Sequence, residues 1–234
     1  MNVRMKFKKY GCMKFIGHLD VMRYFQKAIR RAEIDIAYSE GFSPHMIMSF
    51  AAPLGVGLTS QGEYADLQLH SCESSEKAVE ALNRVMVEGI EVVSFLRLPD
   101  TVKNAMASVA AADYFVKFRE GYAPENWESA FDTFIKKEEI RILKKTKKSE
   151  AEVDLKPLIY ESRIENDGIF LKVACGSVNN LKPELVMEAF AKESGFELSP
   201  FSLEVERLEV YADLGDENCR KLVPLEELGE KIGS

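Results

Sequence analysis

Residues 14–66 read KFIGHLDVMRYFQKAIRRAEIDIAYSEGFSPHMIMSFAAPLGVGLTSQGEYAD, and the spacing of apolar residues in this stretch decides the fold of the first half of the chain. Over residues 18–33, Val21, Met22, Phe25, Ala28, Ile29 and Ala32 recur at helical spacing within an arc of roughly 120°, the width of a core-facing stripe. Arg23, Lys27, Arg30 and Arg31 occupy the opposite side. Asp20 falls in the first turn, where a carboxylate interacts favourably with the positive end of the helix dipole. Two short extended runs, 34–39 and 46–51, flank the GFSPH loop, whose Gly41 and Pro44 are turn formers.

Upstream, residues 3–9 (VRMKFKK) alternate Val3, Met5 and Phe7 with Arg4, Lys6 and Lys8, the pattern of a half-buried strand whose basic side is expected outward. Downstream, EYADLQL at 63–69 alternates again. Ser74 or Ser75 caps a helix to about residue 88 with Val79, Leu82, Val85 and Met86 inward, and a strand over 90–98 ends at Pro99. The order is β-α-β-β-α-β, the ferredoxin-like arrangement.

The second half repeats that order without residue-level identity. A strand over 110–118 precedes a helix after Pro124 that carries Trp127, Phe131, Phe134 and Ile135. A strand beginning at Ile140 runs into the cluster Lys144, Lys145, Lys147 and Lys148, which reads as a solvated hairpin. A turn at 154–157 follows, then strands 158–164 and 168–175 paired across the ENDG signal. Pro183 starts a helix with Leu185, Val186, Ala189 and Phe190 inward, and 201–211 is a last strand. The reading is an α+β protein of two tandem ferredoxin-like units, 1–99 and 106–211, with an acidic tail, 212–234, holding at most a short helix.

With 46% hydrophobic and 29% charged residues the chain has a globular balance. No stretch approaches the roughly 20 apolar residues of a membrane span, and MNVRMKFKKYG lacks the apolar region of a signal peptide, so a cytoplasmic protein without membrane contact is expected. Cys12, Cys72, Cys175 and Cys219 form no CxxC pair, so neither zinc nor an iron–sulfur cluster is suggested by spacing, and no cofactor or metal is expected. Charge is unevenly spread. Residues 1–31 hold nine basic residues and the single acid Asp20, a net +8 inside a chain of net −7. Such asymmetry points to a polyanionic partner, because clustered cations gain by displacing condensed counterions, or else to a solvated charged face.

The nucleic-acid candidates are therefore Lys6, Lys8, Lys9, Arg23, Lys27, Arg30 and Arg31. His18, Asp20, His45 and Glu63 are ligand-type residues from three loops: either they converge as a metal or acid–base set, or they cap helices and bond neighbouring loops. No HxxxH or HxH spacing favours the first. Ser39 and Ser43 lack a nucleophile elbow. Phe42, between Gly41 and Ser43-Pro44, either stacks on an unpaired base or plugs its own core. The loop residues expected to contact a ligand or partner are Gly17, His18, Asp20, Gly41, Phe42, Ser43, Pro44, His45 and Glu63.

The run FIGHLDVMRYFQKAIRRA, then YSEGFSPH, then the SxGE of Ser60–Glu63, resembles the radical SAM-linked protein family, with DLKP at 154–157 and LKPE at 181–184 fitting its second half. The resemblance implies an accessory partner encoded beside, or fused to, a cobalamin-binding-type radical SAM protein, often near ribonuclease and ribosomal genes. It thus implies an RNA-related role. The chain lacks a CxxxCxxC of its own, so it would be the accessory and not the radical enzyme. Two function classes follow. One is a non-catalytic protein that binds or presents tRNA or rRNA for modification. The other is an RNA-processing or metal-assisted hydrolytic enzyme using His18, Asp20, His45 and Glu63, since tandem ferredoxin-like folds of the CRISPR RNA-processing type cleave RNA with a His and basic residues.

Overall fold

The computed structural model describes residues 1–145, 150–216 and 219–233. It is a mixed α+β protein whose mostly antiparallel strands carry few helices, and it divides into two units: residues 1–111 with 207–234, and residues 112–206. The expected division at 99–106 moves accordingly, and the segment after 207 belongs with the first unit instead of forming a separate tail.

In the first unit, β1 (Asn2–Lys9) leads through a 3-10 turn to α1 (His18–Arg31). There follow β2 (Met48–Phe50), β3 (Thr59–Gln68), α2 (Ser75–Val85) and β4 (Ile90–Arg97). β1 lies between β4 and β3, antiparallel to both, and β2 pairs antiparallel with the C-terminal half of β3. The helical stripe is buried as the spacing predicts, through Val21, Phe25, Ala28 and Ile29. Phe7, Phe25 and Phe50 meet there, with ring centroids 4.7 Å apart for Phe7–Phe25 and 5.8 Å for Phe25–Phe50. Ser74 caps α2 by accepting from the Lys77 N–H at 3.2 Å. The run 34–39 does not become a strand. Residues 39–45 curl into a loop closed by Ser39 and His45, and pairing is confined to single bridges, Ile36 with Leu69 and Tyr38 with Met46.

A four-residue helix, α3 (Ala105–Ser108), precedes β5 (Val109–Phe118), which carries the chain into the second unit. There α4 (Trp127–Ile135), the hairpin β6 (Arg141–Lys145) and β7 (Glu150–Asp154), β8 (Ile159–Glu165), β9 (Gly168–Ala174) and α5 (Pro183–Ser194) follow. Then β10 (Leu203–Asp213) returns to the first unit. The strand order here is β10-β5-β9-β8, with β6–β7 apart, and only residues 203–206 of β10 belong to the second unit. Asn166 and Asp167 both have positive φ, as a two-residue hairpin turn requires. Phe131, Phe134 and Phe190 are buried together, with Phe131 and Phe190 at 5.2 Å. β7 was not legible as a strand. Lys147 and Lys148 lie outside the described residues.

The described residues after β10 pack within the first unit. β11 (Leu222–Pro224) pairs with β10, a 3-10 turn over Leu225–Leu228 buries Leu225 completely, and β12 (Glu230–Lys231) pairs with β4. This segment overturns the expectation that the basic side of β1 faces outward. Arg4 is 1% exposed: its Nε and Nη2 donate to Asp66 at 2.8 and 2.9 Å, and its Nη1 to the Leu225 carbonyl at 3.1 Å. The Lys6 ammonium donates to Glu209 at 2.7 Å and to Glu226. Gly62 keeps this packing possible, since a Cβ there would stand 3.0 Å from both a Glu209 carboxylate oxygen and the Leu208 carbonyl.

Tyr64 belongs to the same network, its hydroxyl donating to Glu209 at 2.6 Å. Burial, then the Glu209 charge, push the phenol far above its ordinary value of about 10. A raised folded value means that the contribution of Tyr64 to stability is fully present below pH about 10 and is lost as the pH rises beyond it, because the unfolded phenol ionises first. The stability difference between wild type and Tyr64→Phe should therefore shrink between pH about 9 and 11 in urea titrations. A difference constant across that range would refute the assignment.

Candidate functional site

β1 alternates inward at Val3, Met5 and Phe7, and the next residue in phase is Lys9. Its side chain consequently runs under the start of α1 and not to the surface: Lys9 is 2% exposed, and its ammonium donates to the Ile16 carbonyl at 3.2 Å. His18, the first residue of α1, is half-buried beside it with its ring edge-on to Phe50 at 5.2 Å. Lys9, His18 and Glu63 line one small cleft, walled by Phe7, Val21 and Phe50 and bordered by residues 52–54, with a volume of about 20 Å³.

Glu63 enters this cleft already engaged. Arg207 of β10 grips it as a two-pronged pair, Nε to Oε1 at 2.7 Å and Nη2 to Oε2, while Nη2 also donates to the Ala52 carbonyl at 2.8 Å. The two side chains are 3% and 7% exposed. With both of its oxygens held by the Arg207 guanidinium, Glu63 serves here as a structural anion. Burial lowers the proton affinity of Lys9; the nearby Glu63 charge opposes this and Arg207 adds to it.

The other candidates lie elsewhere. Asp20 is exposed and reaches Arg23 at 3.4 Å. His45 is exposed in the 39–45 loop, its Nδ1 2.8 Å from the Ser39 hydroxyl, which also accepts the His45 backbone N–H at 3.1 Å. Among the described residues no three His, Cys, Asp or Glu stand close enough to hold a metal ion, so His18, Asp20, His45 and Glu63 do not assemble as one set. The loop that His45 closes carries Gly41 at φ +107° and holds Phe42 out as a fully exposed tip, with Ser43 and Pro44 exposed beside it.

The cations divide. Lys6 and Lys9 are withdrawn into the first unit, and Lys8 is half-exposed 3.9 Å from Glu91. Arg23, Lys27, Arg30 and Arg31 are all exposed on α1. Arg31 donates to the Val85 carbonyl at 3.1 Å, whereas Lys27 and Arg30 engage no acid among the described residues. Arg207 was missed. Its signal in the sequence is an ionisable residue in the inward phase of an alternating run, two places after buried Val205.

Residues 2–183 match the model of a family described as "Uncharacterized protein conserved in bacteria" (DUF2344). The match spans Lys9, His18, the 39–45 loop and Glu63, and stops short of Arg207. No curated protein matches the chain.

Proposed function

We propose, for a chain that belongs to the conserved bacterial family DUF2344, a non-catalytic role: it binds single-stranded RNA and presents it to a modifying enzyme. The observation that carries this reading is the exposed cationic side of α1. Of the basic residues of β1, Arg4, Lys6 and Lys9 are occupied inside the first unit, by Asp66, Glu209, Glu226 and the Ile16 carbonyl, and Lys8 is half-exposed beside Glu91. What remains outward is Arg23, Lys27, Arg30 and Arg31, on a helix whose other side is committed to the core. Exposed cations contribute little to stability and are free to meet phosphate. Phe42, fully exposed at its loop tip, offers a stacking surface for a base.

The catalytic alternative is weaker, because Glu63 is held by Arg207 and His45 by Ser39. The strand order of each unit, fourth-first-third-second, supports reading the chain as two tandem ferredoxin-like folds, the second with β6–β7 inserted. A radical SAM protein as the enzyme served, and a cytoplasmic site of action, rest on the resemblance of the 14–66 loops and on composition.

Four phosphate contacts on single-stranded RNA give log K a slope of about −3 against log[salt], and replacing Arg23 and Arg30 by alanine should remove about 1.4 of it with little change in Tm. Phe42→Ala should instead cost about 1–3 kcal/mol with the slope unaltered. Fluorescence anisotropy at several salt concentrations separates the two. Absence of any RNA affinity tighter than about 100 μM at low salt, with and without the partner enzyme, ends this reading.

A further inference from the structure

We infer that the cleft beneath the start of α1 is an oxyanion subsite, in which the Lys9 ammonium, with His18 beside it, receives one oxygen of a phosphate or carboxylate group. A protonated lysine has three donors. The hydrogen bond to Ile16 is the one that Lys9 makes among the described residues, so two donors stay unused on a side chain that is 98% buried. The acid in the cleft cannot serve it. Both Glu63 oxygens are taken by Arg207, and that pair is neutral in sum, which leaves the Lys9 charge uncompensated. A buried cation in that position is costly, and the cost is relieved when an anion enters.

Size selects what fits. A void needs about 10–15 Å³ to hold one water, and this cleft has about 20 Å³. It therefore admits a single oxygen of a larger ligand and not a nucleotide, while Phe7, Val21 and Phe50 keep the surroundings apolar and the field of the ammonium strong. An alternative role for Lys9 is a peg that holds the 10–17 turn through the Ile16 carbonyl. The two roles predict opposite signs for its replacement.

Thermal unfolding of the full chain in inorganic phosphate, in acetate and in sodium chloride at matched ionic strength decides between them. Wild type should show a saturable rise of about 5 °C at a hundredfold excess of phosphate or acetate over its dissociation constant. The anion giving the larger rise identifies the group. Lys9→Met should start at an equal or higher Tm and lose the saturable rise. An equal response in both proteins would be general salting-out and would overturn the subsite. So would no response in wild type, or a Lys9→Met protein that starts markedly lower. Should that variant fail to fold, lysine 13Cε spectra of wild type replace it: one resonance should shift saturably with phosphate, and uniform small shifts would overturn the inference. No RNA is used, and Arg23→Ala/Arg30→Ala should respond as wild type does, so this test and the RNA test fail separately.

Discussion

Glu63→Gln should lower the free energy of unfolding by about 3–5 kcal/mol, the cost of leaving a buried guanidinium without its anion. In a domain whose total stability is about 5–15 kcal/mol, that is a large fraction. The neighbourhood makes the loss asymmetric. Removing the Glu63 charge leaves two buried cations, Lys9 and Arg207, facing one another's field. Arg207→Met leaves Glu63 with Lys9 still close by, so its cost should be smaller, about 2–3 kcal/mol. Replacing both, with Leu at 63 and Met at 207, should be near neutral or stabilising, because an apolar pair of similar volume needs no desolvation of charge. Urea denaturation of the four proteins measures these costs. Equal losses from the two single replacements would contradict the electrostatic coupling of Lys9 to the pair.

Asp66→Ala should cost a comparable 3–5 kcal/mol, and its effect should be spatially confined. One carboxylate accepts both prongs of Arg4 and the Ala105 N–H at 2.6 Å, while the same guanidinium reaches the carbonyls of Leu225 and Lys103. Losing Asp66 therefore loosens three pieces of chain at once: β1, the start of α3 and the turn at Leu225–Leu228. Hydrogen exchange should show loss of protection in peptides covering 99–108 and 214–233 beyond any global change. Uniform loss throughout the first unit would show that the carboxylate stabilises without fastening those segments.

The elements of 1–99 were legible because their apolar residues repeat at 2 or 3.6 positions and are bounded by Ser74, Pro99 and glycines. α1 and its exposed cations followed from spacing alone. What failed was the assumption that a charged residue in an alternating strand faces water. Arg4 and Lys6 sit in the outer phase as expected, but Glu209 of β10 and the turn at Leu225–Leu228 take them up, and nothing local in the acidic stretch after β10 announces β11 or β12. Lys9 was different. Its inward phase was legible from Val3, Met5 and Phe7, and only its chemistry argued otherwise. The Glu63–Arg207 pair joins positions 144 residues apart, a contact that no periodicity within either strand encodes. The net +8 of residues 1–31 thus had two causes: an internal match to acids of β3, β10 and the C-terminal segment, and an outward face on α1.

The interleaving of the units has a consequence for biosynthesis. Domains generally fold in the order they leave the ribosome, N-terminal first. Here the N-terminal unit is completed by residues 207–234, which are translated after the whole of 112–206. A nascent chain halted near residue 206 carries every residue of the second unit but lacks Arg207, Glu209 and Glu226, so Glu63 and Lys6 await their partners. All of residues 112–206 are therefore translated before the first unit is complete, and the part of the chain that emerges earliest holds Glu63 and Lys6 without these partners until the last residues arrive.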